Sequence, residues 1–318
     1  MAIQVRSLSK KYGGKLAVDN VSFEVPAGRV TGFLGPNGAG KSTTMRMIVG
    51  LDHTSSGDAL IDGQQYARLR LPLRQVGALL DAKSAHRSRT AVDHLRAVAV
   101  THGIGRSRVD EVIDLAGLAS VARTRVGGFS LGMSQRLGIA VALLGDPATL
   151  ILDEPVNGLD PDGVTWMREL LRGIAAEGRT VFLSSHLLTE LALVASHVIV
   201  IGRGRILADT PVNALTQGKS IRVRTAALKE LKRLLTRVGG TFTVSGEDTI
   251  DVAGLETEDI ARAAAENGIV LFEVTPVSRT LEEAYIELRP HPRALPRHPP
   301  SSPNVHCLAR RRFPPIRD

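Results

Sequence analysis

The segment from Gly35 to Ser42 has the residue types and the spacing of a phosphate-binding loop. It reads G-P-N-G-A-G-K-S and fits the pattern G-x-x-x-x-G-K-[ST]. We expect Lys41 to reach the β- and γ-phosphates of a nucleotide and the Ser42 hydroxyl to ligate Mg²⁺. Backbone N–H groups can close around phosphate oxygens here because four residues have little or no side chain: Gly35, Gly38, Ala39 and Gly40.

Two acids follow a second apolar segment, Leu150-Ile151-Leu152. If this strand lies beside the phosphate loop, Asp153 can hold Mg²⁺ through water and Glu154 can polarise an attacking water. The structural alternative is a strand end with two solvated acids, which the loop upstream makes the weaker interpretation. His186 closes another predicted strand at the same edge, where its imidazole could contact a γ-phosphate. The pattern predicts phosphoryl-transfer chemistry.

A third segment, Phe129–Arg136, carries a serine and a glycine just before a helix that we predict over Leu137–Leu144. A serine and glycine backbone at a helix N-terminus forms an anion site. One chain does not need two phosphate sites for one nucleotide, so a second anion site in the same chain needs a separate explanation.

Alternation of strands and helices places these residues in an α/β fold. Alternating runs at residues 2–8 and 20–25 predict antiparallel strands, and Val30–Leu34 predicts a buried strand before a helix that starts near Lys41. From about residue 82 to 145 the periodicity is helical. Strands and helices alternate again beyond Ala148, which predicts a parallel sheet covered on both faces.

The pattern changes again beyond Pro211. Over residues 218–288 the order of predicted elements is β-α-β-β-α-β, the ferredoxin-like split-βαβ pattern, followed by a short helix at 280–288. No residue there forms a chemical constellation, so we expect a regulatory or assembly role. Residues 289–318 contain eight of the sixteen prolines, and their composition predicts a disordered tail.

Charge and cysteine content narrow the class of protein. The formal net charge is +8, but the tail contributes seven Arg against one Asp, so the body is nearly balanced and no nucleic-acid partner is expected. One cysteine, Cys307, fits a reducing cytosol. No apolar run approaches the roughly 18–20 residues that span a bilayer. The N-terminus reads as a strand rather than a signal peptide.

Over residues 2–217 these motifs, in this order and spacing, resemble the ATP-binding cassette (ABC) family. The resemblance implies that Glu154, His186 and Lys41 are catalytic, and that Ser42 and Asp153 hold Mg²⁺. It also implies that the subunits pair head to tail, so that each signature segment closes the ATP of the other subunit. The implied ATP-binding residues are Tyr12 (stacked on adenine), the loop Gly35, Pro36, Asn37, Gly38, Ala39, Gly40, Lys41, Ser42 and Thr43, the signature residues Ser130 and Gly132, and Asp160.

The chain departs from the family pattern at two points. The signature L-S-G-G-Q appears as F-S-L-G-M, which keeps the serine and the second glycine. The glutamine expected after the predicted strand Val76–Leu80 is replaced by Asp81, whose oxygens could still contact Mg²⁺. With the phrase S-L-G-M-x-Q-R-L-G-I-A, these variations resemble the actinobacterial branch of daunorubicin-resistance and bacitracin-type exporters.

The resemblance implies an ATP-hydrolysing exporter subunit on the cytoplasmic face of the membrane. ATP and Mg²⁺ would be its cofactors, and separate membrane-spanning permease subunits and a second copy of the chain its partners. Two other functions stay open. A soluble ABC ATPase acting on ribosomes or DNA would usually carry two cassettes, coiled coils or zinc insertions. An importer ATPase would usually carry a small C-terminal β-barrel and keep the glutamine.

Overall fold

The computed structural model describes residues 2–216 and 220–277. The helix predicted at residues 280–288 and the tail at 289–318 lie outside the described residues, so they stay predictions, as do the domain boundaries. Within the described ranges, no helix is long and apolar enough to cross a membrane.

The described strands form three sheets, with the orders β2-β1-β4, β5-β6-β7-β3-β8-β9 and β11-β12-β10-β13. Their bounds are β1 Ile3–Tyr12, β2 Lys15–Val25, β3 Val30–Leu34, β4 Ser56–Ile61, β5 Val76–Leu79, β6 Thr149–Leu152, β7 Thr180–Ser185, β8 His197–Gly202, β9 Arg205–Pro211, β10 Ser220–Arg224, β11 Thr241–Val244, β12 Thr249–Ala253 and β13 Glu273–Val277.

The helices cover the sheets and, in the middle of the chain, form the predicted helical insertion. Their bounds are α1 Lys41–Ile48, α2 Pro72–Gln75, α3 Ala91–Thr101, α4 Arg106–Leu115, α5 Leu131–Leu143, α6 Pro161–Ala176, α7 Leu188–Ala192, α8 Val212–Thr216, α9 Leu228–Arg237 and α10 Thr257–Glu266. Short 3₁₀ turns occur at Tyr66–Arg68, Ala119–Val121 and Val126–Gly128.

The sequence predicts a parallel central sheet, but the sheet is mixed. Strands β5, β6, β7, β3 and β8 are parallel, whereas β9 pairs with β8 in the antiparallel direction. The two-residue turn Arg203-Gly204 joins β8 to β9, and both of its residues have positive φ (51° and 79°). Such a turn matches the twist of a hairpin and reverses the chain at once.

Helix α5 begins at Leu131, six residues before the predicted start at Leu137. The physical reason is the N-cap: the Ser130 hydroxyl accepts a hydrogen bond from the backbone N–H of Met133. The serine at Ser130 and the glycine at Gly132 therefore lie at the start of this helix rather than in a loop preceding it.

Two apolar cores enclose the central sheet. On one face, β3, β7 and β2 contribute three phenylalanines, Phe33, Phe182 and Phe23, whose ring centroids lie 5.3–5.7 Å apart. On the other face, the core includes Leu34, Leu152 and residues of the helical insertion such as Leu95 and Leu137. Strands β3, β6, β7 and β8 are buried throughout, as expected for a sheet covered on both faces.

The four-stranded sheet is antiparallel, and α9 and α10 connect its strands in β-α-β-β-α-β order. Its apolar side packs on the helices through residues such as Val223, Ile250, Leu235 and Ile260. The opposite side is polar and holds the Arg222–Asp251 ion pair, with 2.9 Å between Nε and Oδ1.

Trp166 of α6 lies where the helical insertion meets the rest of the chain. Its indole N–H donates a hydrogen bond to the carbonyl of Leu115 at the end of α4 (3.0 Å). The guanidinium of Arg136, on α5, lies over the indole ring at 4.3 Å from the centroid. This one side chain thus contacts residues of two helices of the insertion.

Candidate functional site

The glycine-rich loop connects β3 to α1 and is shaped by close backbone contacts. A Cβ atom on Gly35 would lie 2.5 Å from the Ile201 carbonyl oxygen, so only glycine fits there. Gly38 and Gly40 have φ of 78° and 111°, which L side chains rarely adopt. Gly40 caps α1 without a side-chain hydrogen bond, so the first N–H groups of the helix remain available for an anion. Pro36, Asn37 and Gly38 form the exposed rim of the loop, and Ala39 is buried beneath it.

Lys41 lies at the centre of the site, with 5% of its side chain exposed. Its ammonium group donates a hydrogen bond to the Gly35 carbonyl at 2.7 Å and lies 3.5 Å from the Pro36 carbonyl. Its Nζ is also 3.2 Å from Oε1 of Glu154, an ion pair that lacks hydrogen-bond alignment. The lysine therefore bridges the loop and the acid that follows β6.

Glu154 also contacts His186, which lies at the same sheet edge, as predicted. Its Oε2 lies 2.8 Å from Nδ1 of His186. Lys41, Glu154 and His186 thus form one contiguous cluster at the carboxyl ends of β3, β6 and β7, an arrangement that can bind a phosphate group and direct a water toward it.

The two acids after β6 are held by Ser184, a fully buried residue of β7. The Ser184 hydroxyl donates to Oδ1 of Asp153 at 2.5 Å and accepts from the Glu154 backbone N–H at 2.9 Å. On the other side, Nε2 of Gln135 donates to the Glu154 carbonyl at 2.9 Å. Sequence reasoning missed Ser184 and Gln135 because their contacts join segments that lie 31 and 19 residues apart in the chain.

Tyr12, the expected adenine platform, is about half exposed at the end of β1. Its hydroxyl donates a hydrogen bond to Asp52 at 2.8 Å, and the Lys10 ammonium lies 4.8 Å from its ring centroid. This hydrogen bond to Asp52 raises the pKa of Tyr12, whereas the Arg46 guanidinium holds the pKa of Asp52 below its usual range. Asp52 also accepts a hydrogen bond from Nε of Arg46 on α1 (3.0 Å), so it links the Tyr12 hydroxyl to the helix that begins in the phosphate loop.

Ser130, Gly132 and Asp160 form a second group. Asp160 caps α6 by accepting a hydrogen bond from the Gly163 N–H at 2.8 Å. A Cβ on Gly132 would lie 2.8 Å from the Gly158 carbonyl oxygen, so the start of α5 packs directly on the loop before Asp160. Within residues 2–216, neither Ser130 nor Asp160 makes a hydrogen bond to the glycine-rich loop.

The predicted Mg²⁺ ligands differ in how freely their oxygens can contact a metal ion. Ser42 is exposed at the start of α1, and Asp153 keeps Oδ2 free of the Ser184 contact, so both offer the hard oxygen ligands that Mg²⁺ prefers. Asp81 is exposed, and its carboxylate caps its own turn by accepting from the Lys83 N–H at 2.8 Å. The described residues contain no cluster of three or more His, Cys, Asp or Glu side chains for a metal, so phosphate oxygens and water would have to complete the coordination.

Comparison with known proteins gives a consistent result. A model of the ABC transporter family matches residues 18–157, and one of a domain of unknown function matches residues 219–282. A bacitracin transport ATP-binding protein of Bacillus licheniformis is 34% identical over 297 residues, or 90% of this chain and 96% of that protein. A lantibiotic transport ATP-binding protein of Streptococcus pyogenes is 36% identical over 65% of this chain and 90% of its own length.

A solved ATP-binding subunit of an ABC transporter superposes with a TM-score of 0.62 at 27% identity, and the match covers 74% of this chain and all of that structure.

Proposed function

Because this chain belongs to the ATP-binding proteins of the ABC transporter family and is an ATPase, we propose that it powers an exporter of a drug, an antibiotic or a similar compound. It would work at the cytoplasmic face of the membrane with separate permease subunits. The observation that carries the proposal is the Lys41–Glu154–His186 cluster beside a glycine-rich loop, in a chain similar over nine-tenths of its length to a bacitracin transport protein.

The cluster suggests how this chain prepares hydrolysis. Phosphate entering the cradle of Gly35–Gly40 would take over the hydrogen bonds that the Lys41 ammonium now donates to the loop carbonyls. Lys41 would then move away from Glu154, which becomes free to accept a proton from water. His186 would keep the carboxylate oriented through its second oxygen. Bound Mg²⁺, held by Ser42 and Asp153, would neutralise phosphate charge.

Ser130 and Gly132 support the sharing of sites between two copies. The Ser130 hydroxyl oxygen accepts from Met133, but its hydrogen can still be donated to a phosphate. Within residues 2–216 the Ser130 side chain makes no hydrogen bond to the chain's own glycine-rich loop, and a second copy arranged head to tail would bring Ser130 and Gly132 to the partner's nucleotide. ATP would then act as the contact between the two copies, and hydrolysis would release them.

The shape of the small C-terminal sheet favours an exporter over an importer. Its four antiparallel strands with two helices on one side differ from the small β-barrel that the importer branch carries.

The test is co-expression with a six-helix membrane protein encoded by a neighbouring gene. We expect the chain to enter the membrane fraction and to raise resistance to bacitracin or a related antibiotic, and the Glu154→Gln variant to enter the membrane without conferring resistance. If the chain stays in the soluble fraction and ribosomes or DNA stimulate its ATPase activity, it is instead a soluble ABC ATPase.

A further inference from the structure

The backbone of Glu154 has an unusual conformation, and both its N–H and its carbonyl are hydrogen-bonded to side chains of other elements. Its φ is 49°, a region that non-glycine residues rarely occupy and that persists only where surrounding contacts enforce it. The N–H is bound by Ser184 at 2.9 Å and the carbonyl by Gln135 at 2.9 Å. The direction of the Glu154 side chain therefore depends on both neighbours.

Gln135 belongs to the helix that begins at the signature serine. It lies five residues after Ser130, or about 7.5 Å along an α-helix that rises 1.5 Å per residue. Gln135 is 4% exposed, and its Oε1 is buried without a partner, so the bond to Glu154 is the only hydrogen bond of this amide within the described residues. No other hydrogen bond among the described residues therefore fixes the amide, and we expect it to move with α5.

The start of α5 makes a second contact with the same loop. The carbonyl oxygen of Gly158 comes so close to Gly132 that a Cβ there would lie 2.8 Å from it. Helix α5 thus contacts the segment from Glu154 to Asp160 at two places: Gln135 contacts Glu154, and Gly132 contacts Gly158. Because Gly132 and Gln135 belong to one helix, a displacement of the helix start would also shift Gln135 and the Glu154 carbonyl that it binds.

We propose that Gln135 is a positioning residue that couples the two ATP sites of the dimer. This inference rests on the proposed head-to-tail arrangement, in which Ser130 of one chain closes the partner's ATP while Glu154 of the same chain serves its own. ATP that binds Ser130 fixes the first turn of α5, and Gln135 carries that change to the Glu154 peptide. Each site thereby hydrolyses ATP faster when the other is filled, which is positive cooperativity.

The experiment replaces Gln135 by Met in the full chain. Met is similar in length and apolar, so it keeps the volume but cannot donate to the Glu154 carbonyl. The matched control is Ser134→Ala on the same helix, because the Ser134 hydroxyl donates only to the Ser130 carbonyl one turn earlier. The measurements are the ATPase rate against ATP concentration, the melting temperature, and ATP-dependent dimerisation by sedimentation with Glu154→Gln added to stop turnover.

We expect the wild type and Ser134→Ala to show sigmoidal ATP dependence with a Hill coefficient well above 1. Gln135→Met should lower the Hill coefficient to about 1 and the maximal rate about tenfold, with unchanged dimerisation. A Hill coefficient of 1 for a dimeric wild type, or a Gln135→Met variant that keeps the wild-type coefficient, would overturn the coupling alone. Absence of an ATP-dependent dimer would overturn the shared site and, with it, the coupling.

Discussion

The Lys41 ammonium group and the Glu154 carboxylate are paired in this structure, with Nζ 3.2 Å from Oε1. Each group has a separate task in the proposed reaction: Lys41 binds phosphate and Glu154 polarises water. While they are paired, each group is occupied by the other, so neither is fully available for its proposed task. In the proposed reaction, nucleotide binding would therefore have two effects, because the phosphate that attracts the lysine would also release the carboxylate.

Replacing Glu154 by Gln should preserve ATP binding and stop turnover. The amide has the size of the carboxylate but cannot accept a proton from water, so we expect the ATPase rate to fall at least about 100-fold. Titration with a fluorescent ATP analogue should show affinity within a few fold of wild type, and sedimentation should show a stable dimer with ATP. The control is Glu177→Gln, which removes an exposed ion pair with Arg179. Normal turnover by Glu154→Gln at saturating ATP would remove Glu154 from this role.

A mixture of Lys41→Ala and Ser130→Arg chains should recover part of the ATPase activity that each variant lacks alone. In a head-to-tail mixed dimer, one composite site combines the intact loop of the Ser130→Arg chain with the intact signature of the Lys41→Ala chain. The other site contains both lesions. We expect activity to rise with mixing toward a maximum near equal amounts, measured as phosphate release.

Crosslinking supplies the control for this mixing experiment by showing that mixed dimers form. If mixed dimers form without any recovery, the signature acts within its own chain or both sites must be intact for either to turn over. Wild-type activity that does not change with protein concentration, down to a demonstrably monomeric state, contradicts a shared site directly.

Tyr12 should contribute to ATP affinity through its ring and not through its hydroxyl. Base–aromatic stacking contributes about 1–3 kcal/mol, so Tyr12→Ala should weaken ATP binding roughly tenfold. Tyr12→Phe loses only the hydrogen bond to Asp52 and should bind ATP nearly as the wild type does. Calorimetric titration of the two variants distinguishes the contributions. Equal losses for Phe and Ala would assign the effect to the Asp52 contact instead.

Acidification should destabilise the helical insertion through His94 of α3. Burial, and secondarily the charge of Arg89, lowers the pKa of His94 in the folded chain. The unfolded chain therefore binds this proton first as the pH falls below about 6.5, and stability decreases from there toward the lower folded pKa. We expect the melting temperature to fall between about pH 7.5 and about pH 5.5, and to fall less in His94→Gln.

Substitution of the exposed His53 is the matched control for this pH series, since it should leave the steepness of the fall unchanged. An identical pH profile for His94→Gln and wild type would show that other groups cause the loss.

Local patterns predicted much of the site. The glycine-rich loop, the two acids after β6 and the histidine after β7 each lie at a strand end, and strand ends of a parallel sheet meet at one edge. The prediction that Lys41, Glu154 and His186 lie close together follows from this rule alone. Their functional roles stay predictions until the variants are measured.

Other features depend on tertiary contacts or on weak local signals. Gly132 and Ser134 are poor helix formers, so the periodicity places the start of α5 too late, at Leu137. Ser130 is a favourable N-cap residue and would have indicated the earlier start. The sequence does not predict strand β9, because R-I-L-A-D-T-P shows little alternation of apolar and polar residues. Its partner, β8, is itself predicted only as a member of a parallel sheet. The clamp of Ser184 and Gln135 on Glu154 left no sequence signal, because it exists only once the strands and α5 are packed together.

Trp166 gives the chain a built-in optical probe. It is the only tryptophan in the sequence, so all of the protein's indole emission comes from the junction of α4, α5 and α6. The guanidinium over the indole ring and the hydrogen bond that the indole N–H donates both affect the wavelength and the intensity of that emission. If the helical insertion rotates against the rest of the chain when nucleotide binds, stopped-flow fluorescence of the unlabelled protein would time that rotation independently of phosphate release.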